Sequence, residues 1–193
     1  MLRTALALNA AVGLRFTACV DAHDYWFEAD GDDYLLDRGQ RYSEHQGEAG
    51  VPYDPAIVER AGCLTGNGHA AAVTPSQSYP VRIPGPCTAV FVEADSGHWM
   101  QALPGARNQP RDQVVGALRS WQSLEGVKRM EPWSAALSGL ISDGLDLVTA
   151  VDPFQLKRND KLRLLVTWKG QPRSGVAVAH DGAAGGVSGK DEG

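Results

Sequence analysis

The sequence predicts a mainly β fold: immunoglobulin-like or transthyretin-like β-sandwich modules with one amphipathic helix. Three observations carry this. Past residue 23, short aromatic or aliphatic runs such as "DYWFEA" and "YLLD" are broken by turn sequences such as "DGDD". The 193 residues include 22 Gly and 11 Pro, which suits a chain with many turns. One stretch, residues 112–129, has helical spacing of its apolar residues.

Taken in order, the chain opens on a candidate signal peptide, residues 1–22. Met1-Leu2-Arg3 is a short positive start, and "TALALNAAVGL", residues 4–14, is mostly apolar but too short to span a bilayer. Val20 and Ala22 stand at −3 and −1 of a cleavage point after Ala22, the small-residue pattern a signal peptidase accepts. Arg15 and Asn9 depart from the usual leader composition. Cleavage there predicts a periplasmic or secreted protein that begins at His23, with no membrane span in the mature chain.

A β-rich N-terminal domain is expected over residues 23–150. Asp54-Pro55 reads as the N-cap and first residue of a short helix reaching Glu59 or Arg60. "AAAVT" and "TAVFVEA" read as strands, with Val90, Val92 and Ala94 alternating with Phe91 and Glu93. From Asp112, the residues Val114, Val115, Leu118, Trp121, Leu124 and Val127 fall on one helical face. Asp112 near the start of that helix, and Lys128 and Arg129 near its end, complement its macrodipole. Leu145, Leu147 and "KLRLLVTW" read as strands, with "NDK" and "KGQPRSG" as turns. Residues 151–182 read as the start of a sandwich module that is truncated, and residues 183–193 as a flexible tail.

Charge excludes one class of function. A net charge of −5 supplies no basic field, so binding nucleic acid by phosphate neutralisation is not expected. Loss of the leader takes Cys19 with it and leaves Cys63 and Cys87, an even pair for an oxidising compartment. Joining them in a disulfide would stabilise the fold by roughly 3 kcal/mol in the chain-entropy model. No CxxC or Cys/His zinc spacing is present.

The candidate chemistry lies with histidine. The five histidines, His23, His45, His69, His98 and His180, form neither HxH nor HExxH. A mature N-terminal His23 offers an α-amine and a ring nitrogen that can chelate one ion. The amine's ordinary pKa of about 7.7–8.0 makes loss of its proton to a metal easy near neutral pH. Nitrogen donors suit Ni, Cu and Zn. His45 in "SEHQGE" and His98 in "SGHWMQ" complete the candidate metal set, and Glu44, Glu48 or Asp24 could add a carboxylate. His69 and His180 read as ordinary structural or surface histidines. Ser43 and Ser96 each lie two residues from a histidine, but without a GxSxG elbow they do not make a hydrolase.

Several ordered blocks, covering about residues 22–182, resemble a known family. "AHDYWFE", "GQRYSEHQGE" and "VPYDPAIVERAGC" are similar to the periplasmic NikM-like, nickel-uptake-associated family, itself a domain of unknown function. "DSGHWMQALPGARNQPRDQVVGALRSWQSLEGVKRMEPWS" and "DPFQLKRNDKLRLLVTWKGQPRSGVAVAHDG" resemble its middle and its sandwich part. The resemblance implies an exported β-rich protein linked to nickel or cobalt uptake, and the chain departs from it where family members continue through further strands. The expected function is therefore a non-catalytic accessory protein that captures a divalent transition metal (Ni, Co, Cu or Zn) and passes it to a membrane metal transporter. Two alternatives stand beside it: a β-sandwich binding or scaffold module without metal, and a copper enzyme using an N-terminal histidine.

Overall fold

A computed structural model of the chain describes residues 24–39, 50–66, 68, 70–103, 105–180 and 183–187. The candidate signal peptide, His23, His45 and His69 lie outside them. The described chain is mainly β, and its helical pieces are single 3-10 turns of three or four residues.

Strands β1 (Asp24–Asp30) and β2 (Asp33–Gly39) form an antiparallel hairpin closed by Gly31 and Asp32. Gly31, at φ +64°, supplies the positive φ that two-residue hairpin turns require. Alternation sends Phe27 into the interior and Trp26 and Glu28 to the other face. Strand β3 (Val58–Leu64) follows a 3-10 turn at Pro55–Ile57, and β4 (Ala70–Ala72) pairs with β3. Strand β5 (Val81–Ile83) joins β2, giving a first sheet in the order β1-β2-β5. The long β6 (Ala89–Ala102) is central to a second sheet, between β3 on one side and β8 (Arg119–Met130) on the other, with β7 (Gly105–Asn108) pairing its far end.

The two sheets share one core. Phe27, Tyr34, Leu36, Val81 and Ile83 from the first meet Val58, Ala61, Cys63, Val90 and Val92 from the second. Full burial of a side chain such as Leu36 or Val81 stabilises by about 1.5–3 kcal/mol. Cys63 of β3 is disulfide-bonded to Cys87, with the sulfurs 2.07 Å apart. Phe91 points to the opposite side of β6 and packs with Leu64, Leu137 and Ile141.

On that opposite side lies a third sheet, β11-β10-β9, made of β9 (Leu145–Thr149), β10 (Leu164–Trp168) and β11 (Gln171–Pro172). Lys128 of β8 donates to the Asp146 carboxylate and to the Leu147 carbonyl, and the Ser142 hydroxyl and Gly144 amide donate to Glu93 of β6. A final hairpin pairs β12 (Ala177–His180) with β13 (Ala183–Val187).

Four expectations change. The amphipathic helix over 112–129 is not formed: a 3-10 turn at Arg111–Gln113 leads into β8. The alternation that matters there has period two, because a twelve-residue ladder to β6 outweighs the helical spacing. Two glycines fit this arrangement: Gly116, in the turn before β8, sits at φ +77°, and a Cβ on Gly126 in β8 would lie 2.5 Å from the Leu145 carbonyl oxygen. At Asp54 the cap is as expected, its carboxylate accepting from the Ala56 amide at 2.9 Å. The helix it starts is one 3-10 turn, because β3 claims Val58 onward. The boundary expected at residue 150 falls between two paired strands, since β9 and β10 belong to one sheet. Residues 183–187 of the expected flexible tail form β13, whose backbone pairs with β12.

Candidate functional site

Two regions could carry a ligand. The first is the corner where β1 starts and β2 ends. Asp24 pairs with Gly39, and the Val51 amide donates to the Arg38 carbonyl at 2.8 Å. The chain thus enters β1, leaves β2 and returns at Val51 in one place. Tyr25 marks this corner. Its ring lies 5.4 Å edge-on from Tyr53, and the Arg38 guanidinium carbon is 5.6 Å from its ring centroid. Arg38 Nε is buried without a hydrogen-bond partner.

Burial pushes the Tyr25 hydroxyl above its ordinary value; the Arg38 cation and a hydrogen bond with Ser96 pull it back, and the Glu125 carboxylate adds to the rise. Glu125 is itself held by two hydroxyls, Ser96 donating at 2.6 Å and Ser123 at 2.8 Å. Ser96 sits at a break in the β6–β8 register, where Gly97 adopts φ +85° and donates to the Asp95 carboxylate at 2.7 Å. Behind Tyr25, Tyr53 donates to the Leu36 carbonyl at 2.6 Å and accepts from the Val81 amide at 3.2 Å. Burial drives its hydroxyl up to about 12. On the other face of the hairpin, burial and then the Glu28 charge raise Asp37 above the usual carboxylate range.

The three candidate metal ligands fare differently. Asp24 is the residue that follows His23, and His45 belongs to the segment 40–49 that both leaves and rejoins the described chain at this corner. His98 is exposed on β6, opposite Gln122. Strand alternation places it on the face away from Ser96, Ser123 and Glu125. Ser96 bonds Glu125, so it does not pair with His98 for hydrolysis. His180 is the last residue of β12. Among the described residues, no group of three or more His, Cys, Asp or Glu could hold a metal ion.

The second region is a cleft of about 680 Å³ between β1 and β8. Among the described residues, β1 pairs only with β2 and β8 only with β6, so each presents an open edge there. Arg129 spans the gap, donating to the Phe27 carbonyl at 3.0 Å and to Glu131 at 2.6 Å. Trp26, Trp133 and Phe154 supply aromatic surface, with Phe154 60% exposed. Trp133 is oriented by its indole N–H, which donates to the Thr149 hydroxyl at 3.3 Å.

Sequence reasoning passed over Tyr25, Arg38, Ser96, Glu125 and this cleft. Glu125 and Arg129 were hidden by the helical reading of their segment. The aromatic triplet Tyr25-Trp26-Phe27 was a usable signal, because alternation had to send Trp26 to the face opposite its neighbours.

Among the described residues, no helix is long and apolar enough to cross a membrane. Compared with known proteins, the chain matches no family model, and it has no match among curated proteins or solved structures.

Proposed function

We propose that this chain is an exported, non-catalytic accessory protein of the NikM-like type, with immunoglobulin-like sandwich modules, which captures a divalent transition metal of the nickel or cobalt kind and passes it to a membrane transporter. The observation that carries the reading is the corner itself. The Asp24–Gly39 register and the Val51–Arg38 hydrogen bond bring together the attachment point of His23 and both stems of the segment that contains His45. A terminal amine, two imidazoles and a nearby carboxylate form a donor set suited to Ni²⁺, Co²⁺, Cu²⁺ or Zn²⁺. The Cys63–Cys87 disulfide suits an oxidising compartment.

The test is titration of the exported, N-terminally sequenced protein with Ni²⁺ and Cu²⁺. His23→Ala, His45→Ala and a form with one extra N-terminal residue should each weaken binding at least tenfold. His98→Ala, which alters the opposite face, should leave it unchanged. Unaltered affinity in His23→Ala and in the extended form would overturn the proposal.

A second reading, a binding module without metal, is favoured by the aromatic cleft between β1 and β8. It predicts that Trp26→Ala and Phe154→Ala abolish binding of the module's ligand while the metal titration shows nothing specific.

A further inference from the structure

We propose that the far end of the β6–β7–β8 ribbon is a docking surface for an anionic lipid bilayer. Beyond the register break at Ser96, β6 runs on with β7 and β8 into an extension with an apolar apex. Leu103 is 91% exposed, Val115 fully and Leu118 65%. Leu103 and Leu118 belong to one end of the ribbon: the Leu118 amide donates to the Gln101 carbonyl at 2.9 Å, and Gln101 pairs with both Ala106 and Arg119; Val115 lies in the loop that leads into Leu118 and β8. Scattered exposed apolar residues are ordinary, but two at one apex, with a third in the loop that leads to it, mark a contact surface.

The charge around this apex says what it contacts. Residues 99–121 carry three arginines, Arg107, Arg111 and Arg119, against one carboxylate, Asp112. The rest of the chain carries 15 basic against 22 acidic residues. All three arginines are exposed. Positive charge in an otherwise acidic protein is thus concentrated in the segment that carries these exposed apolar residues.

Just behind the apex, Trp99 and Trp121 stand directly opposite each other across the ladder, both half-buried, and the Arg119 guanidinium carbon lies 5.2 Å from the Trp121 ring centroid. Leu103 and Leu118 at the tip, then Arg119, then Trp99 and Trp121, follow the order of hydrocarbon, phosphate and headgroup region in a membrane with anionic lipids. A hydrophobic pocket on another protein would accept the leucines but leave the arginines unmatched. This surface is independent of the metal reading and lies on other residues.

The experiment is co-sedimentation of the mature protein with phosphatidylcholine vesicles with and without phosphatidylglycerol. Binding is expected only with the anionic lipid and should weaken as salt rises. Leu103→Asp/Val115→Asp/Leu118→Asp should abolish it. Arg107→Glu/Arg111→Glu should lower the partition coefficient by roughly fivefold or more for each arginine removed. Brominated lipid should quench fluorescence in the wild type and much less in Trp99→Phe/Trp121→Phe. All these side chains but the indoles are exposed, and unchanged circular dichroism will show that the variants fold. No sedimentation of the wild type with anionic vesicles, or sedimentation indifferent to the apex and arginine variants, would overturn the proposal. So would a dimer, seen by light scattering, that the apex variants disperse, since the occupant would then be a second copy.

Discussion

Replacing Lys128 by methionine tests how the third sheet is held to the second. The lysine ammonium donates to Asp146 and to the Leu147 carbonyl, and the two side chains are only 14% and 2% exposed. Methionine keeps most of the stem's apolar contact and removes the cation. Asp146 then holds a buried negative charge with one remaining donor, the Ile141 amide at 3.1 Å. Removing one partner of a buried ion pair destabilises by about 3–5 kcal/mol. The retained Ile141 bond places this case near the lower end, about 3 kcal/mol. For a chain of this size that lowers the melting temperature by roughly 6–12 °C. Lys128→Met/Asp146→Asn removes the stranded charge while keeping an acceptor for Ile141, and should recover most of the loss. Thermal and urea unfolding followed by circular dichroism provide the measurement. A loss below about 1 kcal/mol in Lys128→Met, or a double variant no better than the single one, would show that the pair does not anchor the sheet.

Two further predictions concern the first core. Tyr53 is raised by burial from an ordinary 10.0 to about 12, so the folded state resists its ionisation. The unfolded chain begins to lose that proton near pH 10; the contribution is complete below pH 10 and is lost as pH rises to 12, a fall of about 2–3 kcal/mol. Tyr53→Phe should be less stable at neutral pH, with its Leu36 and Val81 partners unsatisfied, yet should decline less steeply between pH 10 and 12 in alkaline melts. Cys63→Ala/Cys87→Ala opens a loop with a sequence separation of 24 and should lose about 3 kcal/mol in urea unfolding, a loss reproduced in the wild type by reductant.

The mainly β character was legible in the sequence because period-two alternation is a local signal: Val90 and Val92 on β6 point into one core while Phe91 points into another. The Cys63–Cys87 pair was legible by counting. The segment 112–129 was not, because Leu118, Trp121, Leu124 and Val127 satisfy a helical period by spacing alone. What decides their conformation is β6, which precedes them by 22 residues at Trp121↔Trp99 and 35 at Val127↔Val92, and no local pattern reports that partner. Gly116 and Gly126, poor residues for a helix interior, were the available warning. At the corner, Tyr25 and Glu125 are a hundred residues apart and become neighbours only through the packing of one sheet on the other. In the tail, the small residues of "AAGGV" carry little propensity signal, and β13 is defined by its backbone register with β12.

A protein made of so many small sheets has many borders at which a stray strand could attach, and its borders are blunted one by one. Strand β4 is three residues long, and β5, equally short, is hemmed by Pro80 and Pro84, which cannot donate to a growing ladder. Strand β1 carries Asp24, Glu28 and Asp30, so a second molecule laid antiparallel along it would set carboxylate against carboxylate. Among the described residues, the twelve of β8 form the longest border open on one side, and the exposed Arg119 and the Arg129 guanidinium that reaches across to Phe27 set charge along it against fibrous stacking.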